Sequence, residues 1–180
     1  MSTRVLPRTE FGNPILTRKA KRVTKAYLAT DEFKDLVRGM LRTMRAAKGV
    51  GLAAPQVGVP LRIAVLEIRE TPERRNVENQ GPLTIVNPRV VSYIGKPVPK
   101  WEGCLSFMKV FGRVPRHSRV RVAYMTDTGE EVEESVSGLW AHIFQHEIDH
   151  LNGIRFIDRM PSASSLVTKE EYKKIKSRTT

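Results

Sequence analysis

His146-Glu147-Ile148-Asp149-His150 sets two metal-binding side chains and a carboxylate within five residues. On a helix, residues four apart share one face at about 5–6 Å, so the two imidazoles can aim at one cation. Glu147 stands beside a ligand, where it can reach a water at an open coordination position and take its proton. The same pattern also arises on helices whose histidines are merely solvated or satisfied in a core, so the surroundings matter. Here Leu139, Trp140, Ala141, Ile143, Phe144, Ile148 and Leu151 spread apolar surface around most of the circumference, as in a buried helix. Two histidines and a glutamate inside such a helix are costly unless something satisfies them, and a metal with a bound water does so. Asp149 reads as a supporting or surface group. His142 reads as a structural or pocket-wall residue, because two ligands four apart already use the geometry.

A catalytic site of this kind needs a third protein ligand and an open position. A histidine three residues after Gly153 would complete a longer motif, but Phe156 stands there and binds no metal. Glu170 or Glu171, further along, is a second candidate. The third is Cys104, the one cysteine of the chain. A lone cysteine is most often a small buried hydrophobe. Cys104, however, follows Gly103 in Trp101-Glu102-Gly103-Cys104-Leu105-Ser106. A thiolate on such a turn would neutralise one metal charge and leave space for water. A Cys-His-His set suits zinc, iron, cobalt and nickel. A third segment, Gly49-Val-Gly-Leu-Ala-Ala-Pro-Gln-Val-Gly58, is a small-residue loop in which Gln56 offers an amide donor able to polarise a carbonyl. It lacks the Lys-Ser/Thr pair of a phosphate-binding loop.

Taken together, GxGLAAxQ at 49–56, EGCLS at 102–106 and QHExxH at 145–150 resemble the three motifs of the peptide deformylases, in that family's order. Residues 11–16 and 152–158 resemble the flanking segments of the same family, so the likeness covers most of the chain. One departure is Phe107-Met108-Lys109, where the family often has a Val/Ile-Pro-Gly type of turn; it bears on the rim of the cleft.

The resemblance implies a metal-dependent hydrolase that removes the formyl group from N-formylmethionyl peptides and nascent chains, releasing formate. It implies Cys104, His146 and His150 as ligands of one divalent ion, with Fe2+ as the working metal and Zn2+, Ni2+ or Co2+ able to replace it. Glu147 would be the general base, with Gln56 and the backbone N–H of Leu105 stabilising the developing oxyanion. Val50, Gly51, Glu102, Gly103, Leu139 and Ile143 would line the substrate cleft, and Glu102 would also hold the metal loop through a basic partner. Gln145 would support the ligands from behind. Two rivals remain at this level: an HExxH zinc endopeptidase that takes Glu170 or Glu171 as third ligand, and a basic RNA- or ribosome-binding protein with an incidental motif.

The elements that must position these residues are legible in outline. Thr30 caps a helix with Asp31 and Glu32 in its first turn; Phe33, Leu36, Val37, Met40, Leu41 and Met44 follow helical spacing, and Gly49 ends it. Strand-like runs occupy 62–67, 83–86, 89–94 and 119–125, and the turn Asp127-Thr-Gly129 leads to a hairpin partner at 131–136. The stretch 68–81, with Pro72 and many charges, reads as an exposed loop. Ser137 and Asn152-Gly153 bound the motif helix, and Thr168-Lys-Glu-Glu171 is a capping box, with Val167 and Tyr172 as its staple, opening a short basic C-terminal helix. The expected fold is α+β, with antiparallel or mixed sheets around a central HExxH helix in one domain, 1–180.

Composition agrees with a cytoplasmic enzyme. Hydrophobic residues make up 40%, no run approaches a membrane span, and the N-terminus shows no apolar signal core. A single cysteine excludes an internal disulfide framework. Thirty-one Lys+Arg against 19 Asp+Glu give +12, with basic clusters at 18–25 and 169–178. Solvated surface accounts for such charge as well as attraction to an anionic partner does, the ribosome above all. No motif for sequence-specific nucleic-acid recognition is present.

Overall fold

The computed structural model describes residues 4–71, 74 and 77–178; Pro72 of the expected loop and residues 1–3 of the N-terminus lie outside them. A short helix, α1 (Lys25–Leu28), precedes the long α2 (Asp31–Ala46). In α2 the Thr30 hydroxyl accepts the Phe33 N–H at 3.2 Å, and Asp31 and Glu32 sit at the positive end of the helix dipole. Phe33, Val37, Met40 and Met44 form its buried stripe. The helix stops earlier than expected, and Lys48, not Gly49, takes the left-handed turn, with φ 57°. Gly49 is needed for a different reason: a Cβ there would lie 2.8 Å from Leu105 Cδ1, on the loop that follows Cys104.

The strands β1 (Gly51–Ala53), β2 (Ile63–Ile68), β3 (Gln80–Cys104), β4 (Phe107–Met125) and β5 (Glu131–Ser137) pair antiparallel in chain order, and the short β6 (Val167–Thr168) pairs with β4. With α2, α3 (Gly138–Leu151) and α4 (Lys169–Arg178) beside them, the architecture is α+β. Every residue of β2 is buried. Because side chains alternate across a strand, Ile63 and Val65 join the α2 core with Met40 and Leu52, while Ala64 and Leu66 join the α3 core with Phe144 and Ile148. One strand thus serves two cores, which is why it reads as a continuous apolar run.

The expected strands 83–86 and 89–94 are parts of one long β3. Pro88 suggests a break, but register shifts between Val86 and Arg89, Val90 and Ser92, and Ile94 and Pro97 absorb it. β3 pairs with β2 over its first residues, then with β4 from Val86 to Cys104. Residues 92–100 are exposed and carry Gly95, Pro97 and Pro99, so no alternation marks them as strand. The ribbon closes in a tight hairpin where Cys104 pairs with Phe107. Of the expected loop 68–81, Ile68 ends β2 and Gln80 and Gly81 open β3.

The helix α3 starts at Gly138 and packs against β1, β2, β3, β4 and β5. Ser137 precedes it without a side-chain cap bond. Its last turn closes at Asn152, followed by Gly153 at φ 75°. In α4, Thr168 Oγ1 accepts the Glu171 N–H at 3.3 Å, one arm of the expected capping box, while the Glu171 carboxylate takes Lys174. Val167 and Tyr172 converge on Phe111: Val167 pairs with it across β6 and β4, and Tyr172 stacks on its ring at 4.3 Å and 7°. Among the described residues no helix is long and apolar enough to cross a membrane.

Candidate active site

The hairpin between β3 and β4 carries Cys104 to the face of α3 that bears both histidines. Cys104 Sγ lies 3.2 Å from His150 Nε2, and the ligand atoms of Cys104, His146 and His150 all lie within 4.8 Å of one another. The sulfur also accepts the Ser106 N–H and the Gln56 side-chain amide, both at 3.4 Å. Burial pushes the Cys104 thiol up, but the charge of His150 and hydrogen bonds from His146 and His150 bring it down to about 5. A thiolate between two imidazoles is the donor set of a divalent transition metal. The fit has a second support: Glu147 Oε2 is buried without a hydrogen-bond partner, a costly state that a water on such an ion would relieve.

Behind the ligands lies a buried charge network. Glu102 Oε2 accepts from His146 Nδ1 at 2.8 Å, and Oε1 accepts from His142 Nε2 at 2.7 Å and Arg116 Nε at 2.6 Å. The bond to Glu102 holds His146 in the tautomer that leaves Nε2 to a metal. Burial pushes the Glu102 carboxyl up, yet the bonds from His142, His146 and Arg116 more than offset it and hold it far below the usual range. For His146, burial favours the neutral ring, but Cys104 and Glu102 outweigh it and raise its pKa. Arg116 also bonds Asp149, which takes Arg159 at 2.7 Å.

These contacts sort the expected roles. Asp149 is an interior anchor and not a surface group. His142 belongs to the support of Glu102. The oxygens of Glu102 are taken by His142, His146 and Arg116, so its carboxylate braces His146. Gln145 ties α3 to β4, its Nε2 donating to the His117 carbonyl at 2.8 Å and its Oε1 accepting the His117 N–H at 3.1 Å. Arg116, the basic partner of Glu102, carries no signal in the sequence; in an alternating strand it reads as one more surface arginine.

Glu147 is 3% exposed, and burial, partly offset by His146 and His150, pushes its carboxyl up to about 6. Gly51 of β1 lies directly against it: a Cβ there would sit 2.7 Å from Glu147 Cδ. Gln56 Oε1 accepts the Ala53 N–H at 2.8 Å, which turns Nε2 toward Cys104 Sγ and, at 3.3 Å, Ser106 Oγ. Leu105 sits in the hairpin next to the sulfur, and Val50 is half-buried beside β1. Gly103 lies under the ring of its cross-strand partner Phe111. Leu139 is exposed at the start of α3, whereas Ile143 is packed in the core beside Phe144. Glu170 and Glu171 lie exposed on α4, and Glu171 pairs with Lys174; neither belongs to the cluster of ligand atoms.

The family model for polypeptide deformylase matches residues 5–165. "Peptide deformylase 2" of Nostoc sp. is 36% identical over 180 residues, which is 100% of this chain and 99% of that protein. The peptide deformylase of Halothermothrix orenii is 43% identical over 156 residues, 87% of this chain and 94% of its own. Among solved structures, a Met-Ala-Ser-bound class I type b peptide deformylase from Acinetobacter baumannii superposes with a TM-score of 0.84 at 36% identity, covering 88% of this chain and 100% of that one. The peptide deformylase of Thermotoga maritima gives 0.77 at 38% identity, covering 88% and 99%.

Proposed function

Because the chain belongs to the peptide deformylase family, we propose that it is a metal-dependent hydrolase removing the formyl group from the N-terminal formylmethionine of newly made polypeptides in the cytoplasm. The observation that carries this reading is the convergence of Cys104, His146 and His150 beside a buried, unpaired Glu147 oxygen. The three side chains would hold one divalent ion, which when bound polarises the formamide and makes a water acidic enough to act near neutral pH. Fe2+ is the working metal on the strength of the family likeness; Zn2+, Ni2+ and Co2+ suit the same ligands.

The remaining chemistry belongs to the protein. Glu147 takes a proton from the attacking water and returns it to the departing amine, a task suited to a carboxylate raised to about 6. Gln56 Nε2 and the Leu105 N–H receive the carbonyl oxygen as it gains charge. Glu102 keeps His146 in the right tautomer, and donors from His142, His146 and Arg116 keep Glu102 ionised. The outer edge of β1 at Val50 and Gly51 pairs with the peptide backbone, and Leu139 and Ile143 meet the methionine side chain. The whole chain, 1–180, acts as one catalytic domain.

The test is formate release from a formyl-Met peptide beside its acetylated and unblocked counterparts. Only the formylated peptide should react, and cleavage at an internal bond, or no formate, would sink the reading. We further propose that α4 docks the enzyme on an anionic face of the ribosome. Tyr172 and Ile175 turn inward while Lys169, Lys173, Lys174, Lys176 and Arg178 are exposed. Lys169→Glu with Lys173→Glu should weaken low-salt co-sedimentation with ribosomes, because phosphate contacts act through counterion release. Unchanged co-sedimentation would refute the docking. Charge reversal is the cleaner test, since deleting α4 would also remove the Tyr172 stack on Phe111.

A further inference from the structure

Residues 6–11 run from α2 across the Gln56 turn to the metal hairpin. The Leu6 N–H donates to Thr43 Oγ1 at 2.8 Å, the Thr9 N–H to the Gln56 carbonyl at 2.8 Å, and the Phe11 N–H to the Ser106 carbonyl at 3.0 Å. Two residues of chain therefore tie the backbone of Gln56 to the hairpin that presents Leu105. Among the described residues, the Gln56 side chain meets the hairpin side chains through long hydrogen bonds, Nε2 to Ser106 Oγ at 3.3 Å and to Cys104 Sγ at 3.4 Å. Those contacts weaken whenever the amide turns to a substrate oxygen, whereas the backbone ties remain.

Phe11 is the handle of this segment. Its ring lies 4.4 Å from that of Phe107, the first residue after the hairpin, and Phe107 meets Phe156 edge-on at 5.4 Å. The Arg155 guanidinium lies over the Phe11 ring at 5.4 Å. Yet Phe11 is 56% exposed, so little of its ring contributes to the core. A large aromatic ring left at the surface and seated on the hairpin points to placement of the hairpin more than to global stability.

We propose that residues 9–11 form a strap that sets the spacing between Gln56 Nε2 and the Leu105 N–H, with Phe11 a positioning residue for the oxyanion donors. The proposal rests on the reading of Gln56 and Leu105 as those donors. Misplacement of a catalytic group by about 1 Å costs on the order of 10²-fold, and partial loosening correspondingly less. Phe11→Ala should lower kcat about 10-fold while KM, bound metal and thermal midpoint stay close to wild type. Phe11→Leu should restore kcat to within about twofold, because it refills the contact with Phe107. Thr9→Pro, which deletes the N–H to the Gln56 carbonyl along with the Thr9 hydroxyl and fixes φ, should reproduce the kcat loss, and Thr9→Val, which keeps the N–H and loses the hydroxyl, should not.

The decisive experiment is a double-mutant cycle on the metal-loaded enzyme with a formyl-Met peptide. Gln56→Ala should lower kcat by about 10²–10³-fold, as expected for loss of one oxyanion donor. In that background Phe11→Ala should cost less than about threefold more, because residues acting through one another are not additive. If Gln56→Ala leaves kcat intact, the donor reading falls and the strap with it. If Gln56→Ala has its full effect and the Phe11→Ala loss persists undiminished beside it, the strap alone is overturned. Loss of metal or a collapsed thermal midpoint in Phe11→Ala would likewise overturn it in favour of a purely structural role.

Discussion

Gly51→Ala places a single methyl group against Glu147, the proposed general base. The new Cβ would lie 2.7 Å from Glu147 Cδ and 2.8 Å from Cγ, and closer still to Oε1, where ordinary contact begins at 3.4 Å. Gly51 does not have a positive φ, so alanine is compatible with its backbone and the effect is steric. The carboxylate must retreat by at least about 0.7 Å, and at on the order of 10²-fold per ångström kcat should fall by about 10- to 100-fold. That corresponds to about 1.4–2.7 kcal/mol in the barrier. Overpacking should also lower stability by about 1–3 kcal/mol. The assay is steady-state formate release with metal content and urea unfolding measured on the same samples; metal content should not change, since no ligand is touched. In a Glu147→Ala background the added methyl fills vacated space, so Gly51→Ala should cause no further loss of kcat there and should recover stability. A Gly51→Ala enzyme with kcat within twofold of wild type would refute the assignment of Glu147 as the base at this position.

Glu147→Ala itself should retain the metal, because Glu147 lies outside the Cys104–His146–His150 cluster, and should lower kcat by about 10²–10⁴-fold in the same formate assay. Arg116→Ala should destabilise the protein by about 2–4 kcal/mol in urea unfolding, since it removes the cation shared by the buried Glu102 and Asp149 carboxylates and leaves them to His142, His146 and Arg159. The folded-state pKa of Glu102 lies below its usual 4.5, so its stabilisation is present above about pH 4.5 and is lost as pH falls. Stability of the chelator-treated wild type should therefore decline on acidification below that point, and somewhat less steeply in Arg116→Ala, where one contribution to the depression is removed while those of His142 and His146 remain. Lys109 is exposed and holds φ 72°, a left-handed conformation glycine adopts freely, so Lys109→Gly should raise stability by about 0.5–1 kcal/mol by the same unfolding measurement.

What this sequence determined alone is what depends on neighbours a few residues apart. The spacing of His146 and His150 on one helical face, with Glu147 at their side, follows from helix geometry and needs no partner. So do the Thr30 cap, the buried stripe of α2 and the Thr168 hydroxyl cap of α4. The joining of Cys104 to that helix came from motif resemblance, since 41 residues of chain separate it from His146 and no local rule spans them. Only the tertiary structure decided how that distance is crossed. The register shifts that carry β3 past Pro88, and the exposed, non-alternating run from Ser92 to Lys100, leave no periodicity for a sequence to display. Arg116 looks like any outward-facing arginine until β4 pairs with β3 and α3 supplies Asp149, at which point it becomes the buried centre of the ligand support. Gly49 and Gly51 read as ordinary loop glycines, yet each is required by a side chain from elsewhere, Leu105 in one case and Glu147 in the other. Local periodicity reports which face a residue presents; what meets that face is decided by packing between segments far apart in sequence.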